Sequence, residues 1–152
     1  MIPVYQTKVV VKNSKGVIVV RGNCYAACIA SLLEVPITEV PNVETLYHID
    51  GSLWIEVMLA FTNSRGYDLC TDNMLKRFHP KETGGFDFSG TDENGKIPEY
   101  YEYKDKFYLV SGQSPRGFSH SCIFQNGILV HDPHPTKEGL VTLEDFQTLD
   151  KL

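Results

Sequence analysis

The sequence predicts an α+β fold, with an N-terminal helix packed on an antiparallel sheet. Three observations carry this. An Ala-rich apolar run beginning at Cys24 directly follows Gly22-Asn23, as a buried helix would. A second apolar set, Leu53, Trp54, Val57, Met58 and Phe61, has the spacing of a core-facing helix,. Three β-prone stretches, residues 107–110, 119–124 and 128–132, gather towards the end of the chain with turn residues between them,. With 152 residues and 42% hydrophobic content, the chain has enough apolar material for one sizeable core, so a single domain over residues 1–152 is expected,.

Taken in order, residues 7–20 hold two β-branched runs around Asn13-Ser14-Lys15-Gly16 and read as a hairpin inserted ahead of the first helix. That helix is expected to run from Cys24 to Glu34 or Val35, because Pro36 cannot continue it,. Thr38 and Glu39 predict a short turn ending at Pro41,. Ser52 is the candidate N-cap of the second helix, which closes at Gly66 and leaves Trp54 in the core,. Residues 67–71 read as a strand, and Asp72 or Asn73 as the cap of a brief helix through Phe78. Residues 79–105 are rich in Gly, Asp, Glu and Tyr and read as a long surface loop, in which Tyr100, Tyr101 and Tyr103 offer an aromatic wall for a peptide,. After the three strands, Thr142 reads as the cap of a final helix through Leu149,.

The formal net charge is −5, and the 14 Lys and Arg residues are scattered. Nucleic acid is therefore not an expected partner. No stretch approaches the roughly 20 apolar residues of a membrane span, and the first residues lack a signal-peptide pattern,. A cytoplasmic protein without membrane contact is expected. Four cysteines are too sparse for a disulfide scaffold, so all are expected to be reduced,.

Cys24 opens its helix, where unpaired N–H groups and the positive dipole end favour thiolate over thiol. A thiol nucleophile needs a base, and His120 on the second strand supplies one, with Asp132 on the third as its orienting carboxylate,. Cys28, Cys70 and Cys122 read as core residues, although Cys122 shares a strand face with His120,. A metal site using Cys24, Cys28, Cys122 and a histidine is the rival chemistry. No C-x-x-C pair announces it,, so neither a metal nor an organic cofactor is expected. His131 and His134 read as exposed or site-lining residues, and His48 and His79 as surface histidines. Arg116, just before the histidine strand, is a candidate ligand for a substrate carboxylate. Asn23 and Ser119, adjacent to Cys24 and His120, join Arg116 and His134 as candidate substrate contacts.

The connection Gln125-Asn126-Gly127 decides whether His120 and Asp132 meet. A two-residue Asn126-Gly127 turn sets Phe124 opposite Leu129 and separates His120 from Asp132 on opposite faces. A three-residue loop, with Gly127 in a left-handed bulge position, sets His120 opposite Asp132. The second register is adopted, on the glycine and on the needs of the chemistry.

Gly22-Asn23-Cys24, a strand-borne His120 and Asp132-Pro133 together resemble the papain-like cysteine peptidase superfamily, especially the bacteriocin-processing peptidases of ABC exporters. The segments Pro3-Val4-Tyr5-Gln6-Thr7, Val40-Pro41, Ser114-Pro115-Arg116-Gly117 and His131-Asp132-Pro133-His134-Pro135 also resemble small phage and bacterial proteins of this group. The resemblance implies a papain-like fold and a Cys24–His120–Asp132 triad. It further implies a thioacyl-enzyme route that cleaves a peptide, isopeptide or other amide. Papain-like enzymes carry an oxyanion-stabilising glutamine shortly before the nucleophile, at a position filled here by Ile18. Gln6 is the only glutamine upstream, so the resemblance assigns it that role, with residues 7–20 looping out between. The implied setting is a phage or bacterial cytoplasm, with a peptide or protein substrate that extends to a host or defence protein. A non-catalytic peptide- or ligand-binding protein on the same fold, and an acyltransferase using the same triad, are the alternatives.

Overall fold

The computed structural model describes residues 1–46, 53–72 and 105–152. Strands β1 (Val11–Lys12) and β2 (Ile18–Val20) form a two-stranded hairpin. Its turn is held by the Asn13 side chain, which accepts from the N–H groups of Lys15 and Val17. Helix α1 spans Cys24–Leu33, a 3₁₀ turn spans Ile37–Glu39, and α2 (Val43–Leu46) and α3 (Leu53–Ser64) follow. Strands β3 (Tyr67–Asp72), β4 (Phe107–Gln113), β5 (Ser119–Gln125), β6 (Ile128–His131) and β7 (Asp145–Lys151) build one antiparallel sheet in the order β3-β7-β4-β5-β6. The architecture is α+β. Among the described residues no helix is long and apolar enough to cross a membrane.

The first helix stops a residue or two before its expected end. Glu34 turns left-handed (φ 58°), and the Val35 N–H closes back on the Ala30 carbonyl at 3.0 Å, so the helix ends before Pro36 is reached,. Its small side chains, Ala26, Ala27 and Ala30, are fully or nearly fully buried and let the backbone lie close to the sheet. Leu109 of β4 and Ile123 of β5 meet α1 and α3 on that side. Tyr108, Val110, Cys122, Phe124 and Phe146 form a second apolar cluster with Leu140, on the opposite face as strand alternation requires,.

The segment expected to be a final helix is instead strand β7, paired with β3 on one side and β4 on the other. Phe146 and Leu149 serve different apolar clusters, which a strand allows and which leaves no single helical stripe. Thr142 caps no helix; its hydroxyl accepts the Gln113 N–H at 2.8 Å and donates to Glu144. This segment lies so close over β4 that a Cβ on Gly112 would collide with the Thr142 carbonyl. Ser52, the remainder of the brief helix expected after Asp72, the loop of residues 79–104 with its tyrosines, and His48 and His79 lie outside the described residues.

The adopted β5–β6 register is corrected by the structure. Asn126 (φ 51°) and Gly127 (φ 77°) form the two-residue turn, Gln125 pairs with Ile128, and Phe124 pairs with Leu129. The next pair, however, is Ile123 with His131. Val130 is therefore an extra residue, a β-bulge that shifts everything after it by one position. Because side chains alternate with a period of two, that single insertion turns Asp132 to the face of His120.

Candidate active site

Residues 2–8 form a strap that ties α1 to the segment after β6. Ile2 N–H bonds the Ser31 carbonyl and Val4 N–H the Ser31 hydroxyl, tying the strap to α1. Gln6 N–H then bonds the Pro133 carbonyl at 3.1 Å. Asn23, only 6% exposed, accepts from the N–H groups of Thr7 and Lys8 and donates to the Thr7 hydroxyl. Committed to the strap, the Asn23 side chain does not cap α1. The helix N-terminus, with Cys24 as its first residue, therefore keeps its donors and dipole directed at the cleft beside it,.

His120 and Asp132 are joined by a 2.7 Å bond between Nε2 and Oδ1, with side chains 2% and 1% exposed. Asp132 Oδ1 also accepts the His134 N–H, and Oδ2 the Gly139 N–H, each at 2.8 Å. Burial opposes the carboxylate charge, but the bond from His120 and these two backbone donors hold the carboxyl below its usual range,. Burial likewise opposes charge on His120, yet Asp132, then Cys122 and Cys24, raise its basicity well above that of a free imidazole. Both shifts favour the charged forms, an imidazolium against a carboxylate. With Nε2 committed to Asp132, Nδ1 is the nitrogen left for the thiols. β6 pairing stops at Ile123, and the start of α1 shares a cleft with the ring.

Cys24 is half-buried and lines a cleft of about 640 Å³ with Asn23, Ser119 and His120. These four expected site residues are brought together. Gln6 is not in the cleft lining; it lies between Pro133 and Gly22. Its Nε2 donates to the Lys8 carbonyl at 2.7 Å and lies 3.2 Å from where a Cβ on Gly22 would stand. Its Oε1 is buried without a partner among the described residues.

Arg116 and His134 are not in the cleft lining; they stand behind the dyad. Arg116 donates to the Thr136 hydroxyl at 2.9 Å and packs over the Phe118 ring. His134 Nδ1 accepts from the Thr136 N–H, which fixes it as the Nε2–H tautomer,. Burial, Arg116 and His120 lower its pKa, so it stays neutral edge-on to the His120 ring, with centroids 6.0 Å apart. His131 is buried and bonds the Val4 carbonyl, a structural role in the strap. Cys28 and Cys122 are fully buried thiols, each made less acidic by burial first. Cys70 lies on β3, away from the cleft.

Among the lining residues that sequence reading missed are Tyr25, Glu44 and Trp54. Trp54, expected in the core, is half-buried and meets the Tyr25 ring edge to face at 5.3 Å. Tyr25 directly follows Cys24 and donates to Gln147 Oε1 at 2.6 Å. Its position beside Cys24 was the one local signal for it. Glu44 carried none, since α2 reaches the cleft only through tertiary packing. Comparison with known family models, curated proteins and solved structures finds no match for this chain.

Proposed function

We propose that this chain is a papain-like thiol hydrolase that cleaves an amide bond of a peptide or protein through Cys24, His120 and Asp132. One observation carries the reading: His120, bonded at 2.7 Å to a buried Asp132, lines the same cleft as Cys24, the cysteine that opens α1. The Cys24 thiolate attacks the carbonyl carbon, and the oxyanion is met by the Cys24 N–H and the second amide hydrogen of Gln6. The His120 imidazolium gives its Nδ1 proton to the nitrogen as the C–N bond breaks, leaving a thioester and a free amine. Neutral His120 then takes a proton from water, whose oxygen attacks the thioester. Collapse of that adduct expels the Cys24 thiolate and leaves the carboxylic acid. Asp132 holds the ring in place throughout, as its three hydrogen bonds equip it to do.

The deciding experiment is the pH dependence of iodoacetamide alkylation at Cys24, located by mass spectrometry, in the wild type and in His120→Ala. Rapid labelling that persists well below pH 7 and slows in the variant supports the reading. Labelling that rises only in mildly alkaline solution, with no response to the variant, removes it and leaves a binding protein.

A further inference from the structure

The cleft has a second chemical character besides its thiol. Besides Cys24 and His120, its ionisable lining includes Glu44, Glu144 and Asp145 against Arg21, an excess of negative charge. Glu144 and Asp145 are exposed and alone would mean nothing. Glu44 is different: its side chain is 8% exposed, one oxygen meets Lys8 Nζ at 3.2 Å, and the other is buried with no partner among the described residues. A carboxylate oxygen shut away from water and left unbonded is costly unless a ligand supplies the donor.

In the same cleft lining stand the Tyr25 and Trp54 rings, at 83° to one another. Burial keeps the Tyr25 phenol neutral, and its hydroxyl is tied to Gln147, so the ring is held in position. Two crossed aromatic rings and a buried carboxylate match an organic cation, which takes electrostatic attraction from the rings and charge-assisted hydrogen bonds from the carboxylate. We propose that Tyr25, Glu44 and Trp54 form a subsite for a guanidinium or ammonium side chain, making basic peptides the substrate class. The proposal deepens the reading of this cleft as a substrate site and does not depend on the chemistry of Cys24.

Trp54 is the only tryptophan in the chain, so its fluorescence reports directly on the subsite. The full-length protein is titrated with N-acetyl-arginine amide and with N-acetyl-citrulline amide, which keeps the shape and removes the charge. Expected is a saturable change with the arginine compound and binding at least about tenfold weaker with citrulline, the scale of a lost partly buried charge pair. Glu44→Gln is expected to bring arginine binding down to the citrulline level and leave citrulline binding unchanged. Equal binding of the two compounds in the wild type, or absence of any saturable change, overturns the proposal without recourse to a variant. Arginine binding undiminished in Glu44→Gln also overturns it. So does calcium chloride that reproduces the signal and displaces the arginine amide, which would make the carboxylates a divalent-cation site. No turnover is needed, so failure of the Cys24 labelling test and failure of this titration are separate results.

Discussion

Asp132 stands diagonal to His120 across β5 and β6, not opposite it, and Val130 is the cause. With Ile123 paired to His131, the same register carried one residue further sets Asp132 beside Cys122, two positions from His120 on the same face,. The 2.7 Å Nε2–Oδ1 bond spans that diagonal. A bulge costs the ladder one residue of pairing and here delivers the carboxylate to the only face on which the imidazole can use it.

Asp132→Ala is expected to destabilise the protein by about 3–5 kcal/mol, the scale of a broken buried ion pair. The change leaves the His120 ring and the His134 and Gly139 N–H groups without the acceptor they share. Denaturant unfolding against the wild type gives the number. A loss below about 1 kcal/mol would mean that the pair is solvated in solution.

The same pair sets a pH window. The lowered carboxyl of Asp132 contributes stability that is complete above its unfolded value near 3.9 and is lost as pH falls through the folded value,. The raised imidazole of His120, faced by Asp132, Cys122, Cys24 and neutral His134, contributes stability that is complete below about 6.5 and is lost as pH rises towards its folded value,. Both contributions are complete together only between about pH 4 and 6.5. Thermal unfolding is expected to peak there, with the peak flattened in Asp132→Ala. A wild-type midpoint still climbing from pH 6.5 to 8 would contradict the ion pair.

How far this could be read from sequence depended on how local each determinant is. Helix α1 was legible, as was the meeting of His120 with Asp132, because an apolar run after Gly22-Asn23 and a His-bearing strand are local patterns. Strand β7 was not. Thr142-Leu143-Glu144-Asp145 imitates a capped helix start with acidic residues in its first turn, while the evidence for a strand is pairing to β3 and β4, remote in sequence. The bulge at Val130 was equally hidden, since Ile128-Leu129-Val130-His131 contains no glycine or proline to mark it. The chemistry demanded the right face for Asp132 and supplied the wrong register to reach it.

Asn23→Ala tests whether the strap is built on that residue. The substitution strands the N–H groups of Thr7 and Lys8 and removes the donor to the Thr7 hydroxyl. With an orphaned donor worth about 1–3 kcal/mol and some water regained, a loss of about 2–3 kcal/mol is expected. Asn23→Asp keeps the acceptor and is expected to lose less, because the Thr7 hydroxyl is able to turn and donate. Equal losses from the two variants, measured by urea unfolding, would place the role of Asn23 outside these bonds.

Gln6→Ala separates catalysis from architecture. Its backbone N–H, which makes the bond to Pro133, survives the change. The side chain has one exposed bond to the Lys8 carbonyl and one buried oxygen with no partner among the described residues. Losing the first is offset by relieving the second, so stability is expected to change by less than about 1 kcal/mol. Turnover behaves differently if the free Nε2 hydrogen meets the oxyanion. Hydrolysis of p-nitrophenyl acetate at Cys24 is then expected to fall about 10²-fold in kcat. Gly22→Ala should push in the same direction more weakly, since its Cβ would stand 3.2 Å from that nitrogen and displace it without deleting it,. Unchanged turnover in Gln6→Ala would reduce the residue to a tether of the strap and leave the Cys24 N–H as the oxyanion donor identified so far.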